Sequence, residues 1–212
     1  MGWDRWWFFV VTVALVCGTP GPNMLHVMSR SVRHGFGRAR WAMAGCLTAV
    51  LVALGLSAAG VGALLEASPR LFDALCIAGA AYLGWLGIKA WRGTGGPATG
   101  LDPALPGLAD GAAPALVLYR DALFTGLSNP KLILFAAALF PQFLDRGTGW
   151  AGQLAILVAT FLAIESSWYT VYAAGGRQLA RWLADAKRQR LFDRATGVVF
   201  IGFCVAILVA RA

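Results

Sequence analysis

Thr19-Pro20-Gly21-Pro22-Asn23 and Ser128-Asn129-Pro130-Lys131 each fall near the middle of an apolar segment long enough to cross a bilayer. Proline lacks an N–H and crowds the preceding turn, so each motif opens a gap in the helical hydrogen bonding at membrane depth. In hydrocarbon such a gap persists only where protein or a water-filled cavity satisfies the freed groups. Interrupted helices at corresponding places in two halves of a chain are the sequence mark of a transporter's binding site. By helical rise, Pro20 lies about 21 Å from the start of its segment and Pro130 about 12 Å from the start of its own. Both depths fall in the central part of a core about 30 Å thick.

The surrounding composition fits that reading. Of 212 residues, 58% are apolar and only 13% charged, against about 45–50% and about 25% in ordinary globular chains. Six segments are expected to span: 6–29, 41–65, 71–91, 122–144, 150–174 and 195–210. The sixth is short, but Arg194 and Arg211 can snorkel from its ends. The expected fold is therefore an all-α integral membrane protein with six transmembrane helices, the first and fourth broken. Residues 93–118, rich in Gly, Pro and Ala, form a linker. They divide the chain into three-helix halves, 1–92 and 119–212. An odd number of spans per half makes the second enter from the opposite side, as an inverted repeat.

The net charge of +8 could suggest nucleic acid, but its distribution argues for topology. One side collects Arg30, Arg33, Arg38 and Arg40, then Lys89, Arg92 and Arg120, then Arg177, Arg181, Lys187, Arg188, Arg190 and Arg194. The other holds Arg5, Arg70, Arg146 and Arg211, and Lys131 is left inside a span. The excess of cations places the basic loops in the cytoplasm and both termini outside. Basic loops at that level also favour anionic lipid. No nucleic-acid motif accompanies them. The amino terminus is expected to be the first span and not a cleaved signal peptide, because no A-x-A site follows its apolar run. Trp3, Trp6, Trp7 and Trp150 suit the outer interface and Trp41 and Trp91 the inner one. Cys17, Cys46, Cys76 and Cys204 lie within spans without C-x-x-C spacing, so neither a disulfide framework nor a metal site is expected.

Two stripes of small residues, Gly45-Ala49-Ala53-Ser57 and Cys76-Ala80-Gly84, let helices approach closely. They suit packing within the chain or a homodimer, and the spacing does not choose between them.

The groups that carry chemistry gather around the breaks. Pro20-Gly21-Pro22 removes two N–H groups and frees carbonyls on the turn before it, and Asn23 adds an amide that donates and accepts. A plain kink is the alternative, but two prolines about a glycine beside Thr and Asn favour a substrate or cation site. Asn129 and Pro130 mark the second break. Lys131 is an ionisable group about 13 Å from the inner edge, where a charge costs at least about 2.5–3.5 kcal/mol. It therefore needs a partner, a cavity or a lowered pKa. Glu165 lies at similar depth, about 9 Å from that edge. It can pair with Lys131, carry a proton, or reach cytoplasmic water. Trp168, Tyr169 and Tyr172 follow it and can line a pocket or pack against neighbours. Asp121 beside Arg120 reads as a surface pair or a helix N-terminal charge. His26 is a candidate pH sensor, and Gln142 a cap or an outer gate.

These residues resemble the LysE/RhtB superfamily of bacterial amino-acid exporters. The likeness rests on Thr19-Pro20-Gly21-Pro22-Asn23, the Arg-rich loop after it, Phe124-x-Gly126-x-x-Asn129-Pro130-Lys131, and Pro141-Gln142-Phe143, and it covers nearly the whole chain. The Gly/Pro-rich linker is plainer than the charged connection of that superfamily. The resemblance implies an inner-membrane exporter of amino acids or related small metabolites, driven by the proton motive force. No cofactor is expected, since the sequence carries neither a G-x-x-x-x-G-K-[ST] phosphate loop nor a metal-ligand cluster. In that reading Pro20–Asn23 and Asn129–Pro130 hold a zwitterion, and Lys131 neutralises its carboxylate or pairs with Glu165. The competing class is a membrane-embedded enzyme or redox protein. Paired cysteines or an acid/base cluster would mark it, and neither occurs in the sequence.

Overall fold

Proline sets where the helices break. In the computed structural model, α1 (Trp3–Gly18) stops just before Thr19-Pro20. The next helix, α2 (Pro22–His34), begins on Pro22, whose missing N–H is harmless at the first helical position. The two are bent by 54°. The second break has the same construction. Helix α4 (Ala115–Leu127) ends, Asn129 caps the next helix, and α5 (Pro130–Leu134) starts on its proline. The chain from Pro130 to Phe143 is bent from α4 by 52°. After α5 come a π-helical turn, Phe135–Leu139, and a 3₁₀ turn, Phe140–Phe143. Pro141 accounts for the loosening, since it cannot donate to the turn before it. The Ala136 carbonyl takes the Ser57 hydroxyl.

The structure describes residues 2–67, 113–144, 149–183 and 185–209, with residues 74, 77, 80, 81, 84, 85, 87–89, 91 and 92 between them. It is helical throughout apart from the connections and breaks, with no strand among the described residues. The remaining helices are α3 (Phe36–Ala67), α6 (Trp150–Leu183), which departs from helical geometry at Gly176, and α7 (Ala186–Val209). Among the described residues, Phe36–Gly60 and Trp150–Gly176 are each long and apolar enough to cross a membrane, and counting each bent pair as one span gives up to four. Much of the expected third span, most of the linker over 93–118, and Arg70, Asp73, Cys76, Arg146 and Arg211 lie outside the described residues. Helix α4 starts at Ala115, ahead of the expected 122 and inside the expected linker, because Leu118 is fully buried and extends the packed face.

Close packing explains the small residues. A side chain on Gly126 would run into Ala49 and one on Gly45 into Tyr119 and Ala122, so α3 and α4 touch along the first stripe. In the third segment, a Cβ on Gly84 would meet Cys204 Sγ at 3.0 Å, and one on Gly87 would meet the Gly197 carbonyl at 2.9 Å. Among the described residues both stripes thus serve contacts within the chain. Toward the basic end, guanidinium or ammonium groups sit over indole rings: Arg40 over Trp41 at 5.6 Å, Lys89 over Trp85 at 5.2 Å and Arg194 over Trp91 at 5.9 Å. Trp41 and Trp91 are exposed, as residues at a lipid headgroup level would be.

Candidate functional site

The carbonyls that the first break deprives can be named from helix geometry. An α-helical N–H bonds to the carbonyl four residues back, so Pro20 leaves Val16 without its donor and Pro22 leaves Gly18 without one. Side chains from other helices fill these gaps. Lys131 Nζ donates to the Val16 carbonyl at 3.0 Å and to the Thr19 carbonyl at 2.9 Å. The Tyr172 hydroxyl donates to Gly18 O at 3.0 Å, and Thr19 Oγ1 folds back onto Val16 O at 2.7 Å. Trp168 Nε1 reaches Ala14 O at 3.1 Å.

Absent side chains make the room. A Cβ on Gly21 would stand 3.2 Å from Lys131 Nζ and 3.3 Å from its Cε. A Cβ on Gly18 would stand 2.7 Å from Trp168 Cζ2. Gly21 is therefore where the lysine head passes the backbone, and Gly18 is where the indole lies on it.

The two breaks are joined directly. Asn129 is 1% exposed and Asn23 3%. Asn129 Oδ1 accepts from the Lys131 backbone N–H at 3.0 Å, and its Nδ2 donates to Asn23 Oδ1 at 2.9 Å. Asn23 Nδ2 donates in turn to the Tyr169 hydroxyl oxygen at 3.1 Å. Both amides are thus used at both ends, as burial demands. The Tyr169 hydroxyl and the Cys17 thiol lie beside the Glu165 carboxylate. A polar line consequently runs from α5 through both broken helices to α6.

Glu165 is buried, and its carboxyl group is close enough to act electrostatically on Lys131. The lysine head is nonetheless directed to the two carbonyls, whereas Arg30 and Asp121, nearby, form a direct ion pair at 3.2 Å. All the sequence-expected site residues, Pro20, Gly21, Pro22, Asn23, Asn129, Pro130, Lys131, Glu165, Trp168 and Tyr169, are brought to the two breaks or to the face of α6 against them. His26 and Asp121 lie one layer away: His26 Nε2 accepts from Arg30 Nε at 3.4 Å, and Thr125 Oγ1 stands 3.5 Å from its Nδ1. Asp121 was expected beside Arg120, but its partner is Arg30 of α2, which no local reading could supply. At the opposite end, Arg5 donates to the Gln142 carbonyl at 3.3 Å. Cys17 is the site residue whose place the sequence did not give, and Tyr172, expected to line a pocket or pack against neighbours, bonds to Gly18 O. The carbonyls of Val16 and Gly18, by contrast, follow from counting back from each proline.

Comparison with known proteins agrees with this architecture. The family model described as "LysE type translocator" matches residues 8–211. The chain is 34% identical over 209 residues to a homoserine/homoserine lactone efflux protein of Salmonella typhi, covering 98% of this chain and 97% of that one. It is 31% identical over 205 residues to a leucine efflux protein of Enterobacter sp. strain 638, covering 96% and 94%. It is also 36% identical over 224 residues to an uncharacterized membrane protein of Pseudomonas aeruginosa, covering 99% and 97%. No solved structure matches the chain.

Proposed function

Because the chain belongs to the LysE type translocators, we propose that it exports a small amino-acid-like metabolite across the bacterial inner membrane, coupled to protons and by alternating access. Membership in a translocator family sets aside the enzyme alternative, and the apolar helices make it a multi-pass membrane protein. The observation that carries the reading is the meeting of two broken helices at Asn23 and Asn129, with Lys131 and Glu165 beside them. Buried ionisable groups inside a membrane mark a substrate or ion pathway, and broken helices supply the polar backbone to line it.

The names of the relatives cover homoserine, its lactone and leucine. These share a primary ammonium group, and the lactone has no free carboxylate. In this reading Pro20–Asn23 and Asn129–Lys131 bind the substrate, Lys131 and Glu165 couple it to protons, and Trp168 and Tyr169 line the pocket.

Six spans in two inverted halves suit the helix contacts. The first span packs on the fifth as the fourth packs on the second, and Gly87 of the third meets Gly197 of the sixth. A pseudo-twofold axis exchanging the halves preserves each of these contacts. Both termini then face outward, so a reporter active only in the cytoplasm should stay silent when fused after Ala212.

The test is purified protein in proteoliposomes with an imposed proton gradient, given homoserine, homoserine lactone and leucine. Gradient-dependent movement of at least one is expected. Correctly inserted protein that moves none of them, with or without the gradient, would overturn the reading.

A further inference from the structure

We propose that the open C-terminal end of α1 is the binding site for the ammonium group of the transported molecule, and that Lys131 holds this site between transport events as a built-in stand-in. The proposal rests on the export reading above and gives it a recognition element. Val16 O and Thr19 O converge on one nitrogen at 3.0 and 2.9 Å. Both belong to the end of a helix, where unpaired carbonyls gather negative partial charge. The Glu165 carboxyl group lies nearby. Such a site selects a compact cation with several N–H donors.

Nothing in it is particular to lysine. Its hydrogen bonds go to the ammonium head alone, and any primary ammonium offers the same three donors. Gly21 keeps the backbone open beside the nitrogen, where a Cβ would stand 3.2 Å away. The carbonyls are fixed by α1. The lysine reaches them from α5, in the other half of the chain, on a flexible four-carbon stem that can withdraw.

Two cations cannot occupy one pair of carbonyls. Substrate entry from the cytoplasmic side therefore displaces the Lys131 head, which gives up a proton to water on that side. A proton taken up from the outer side recharges Lys131, whose return ejects the substrate's ammonium outward. Competition for one site thus exchanges a proton against an amine without a second binding pocket. The titratable groups around that exchange are Glu165, Tyr169 and Tyr172 of α6 and Cys17 of α1. If Lys131 instead left these carbonyls to receive the substrate's carboxylate, Thr19 O would lose the lysine donor and Val16 O would keep only the Thr19 hydroxyl.

The chain has three lysines, Lys89, Lys131 and Lys187, so acylation can be followed at each by peptide mass spectrometry. Wild-type protein in nanodiscs is treated with a small amine-acylating reagent in the presence of n-propylammonium or of propionate. Propylammonium should raise labelling of Lys131 severalfold relative to Lys89 and Lys187, which report reagent consumption, and propionate should not. Unchanged or reduced labelling of Lys131 with propylammonium overturns the proposal, as does an increase with propionate. The Lys131→Met variant, with the site cleared, should bind propylammonium about tenfold tighter than wild type, the worth of roughly one charge-assisted hydrogen bond. Equal or weaker binding by folded Lys131→Met also overturns it. If that variant does not accumulate, the wild-type labelling decides alone. Failure of these tests in protein that still exports in proteoliposomes counts against the stand-in and leaves the export reading intact.

Discussion

Asn129 donates its side-chain amide to the Asn23 side-chain oxygen at 2.9 Å, tying the start of one broken half-helix to the start of the other. The residues are 106 positions apart in sequence, and neither has an alternative in water, since both are buried. A buried donor or acceptor left alone costs about 1–3 kcal/mol. Asn23→Ala strands the Asn129 amide and removes a partner of Tyr169, so it should destabilise the protein by about that amount and stop efflux. Asn129→Ala should do the same, and the double variant should cost clearly less than the sum, because the second removal finds the bond already gone. Thermal unfolding of the purified variants, with efflux in parallel, measures this; strictly additive losses would mean the two amides act apart.

The prolines are expected to matter through the carbonyls they expose. Pro20→Ala with Pro22→Ala restores N–H groups that can reach Val16 and Gly18, the partners now held by Lys131 and Tyr172. A continuous first helix is a better membrane span than a broken one. Insertion should therefore be kept, and export lost. Membrane abundance measured beside transport separates the two, and normal transport by well-inserted double variant would reduce the motif to a bend.

The positions of the breaks were legible in the sequence because proline acts locally. Helical rise put Lys131 and Glu165 at similar heights in their helices, and the fold brings the two near each other. The face of α6 was partly legible: Glu165, Trp168, Tyr169 and Tyr172 recur at helical spacing, and all four turn toward the first break. What the sequence withheld was pairing. Thr19 and Val16 take a donor from α5, Gly18 takes one from α6, and Asp121 takes Arg30 instead of its neighbour Arg120. Each choice depends on which helices lie side by side, and in a membrane every span is apolar, so periodicity does not rank partners. The small-residue stripes showed the same limit. Gly45 and Ala49 announced a close contact without saying that α4 makes it.

That contact can be tested by exchange of volume. Gly126 admits Ala49 between α3 and α4. Gly126→Ala overpacks the joint and should destabilise by about 1–3 kcal/mol, with lower membrane abundance. Ala49→Gly added to it moves the methyl group from one helix to the other, and should recover much of the loss. Equal abundance for Gly126→Ala alone and for the exchanged pair would show that the joint tolerates the extra methyl.

Lys131 and Glu165 carry the sharpest expectation. The ammonium is bonded to Val16 and Thr19 carbonyls, and the carboxylate is the charge that balances it. Removing either group leaves the other inside the protein without it, where an unpaired ion is costly. Lys131→Met should abolish proton-driven efflux while lowering protein yield far less, since a thioether and methyl can fill most of the space that the lysine stem takes beside Gly21. Glu165→Gln keeps the shape and removes the titratable carboxylate, so the dependence of efflux on pH should change in form and not merely in height. The two substitutions share one electrostatic interaction, and their effects should therefore fall short of additive. The measurement is a double-variant cycle on efflux across a series of pH values, normalised to membrane abundance. Independent effects would separate the two charges, and a fully active Lys131→Met would take the lysine out of the mechanism.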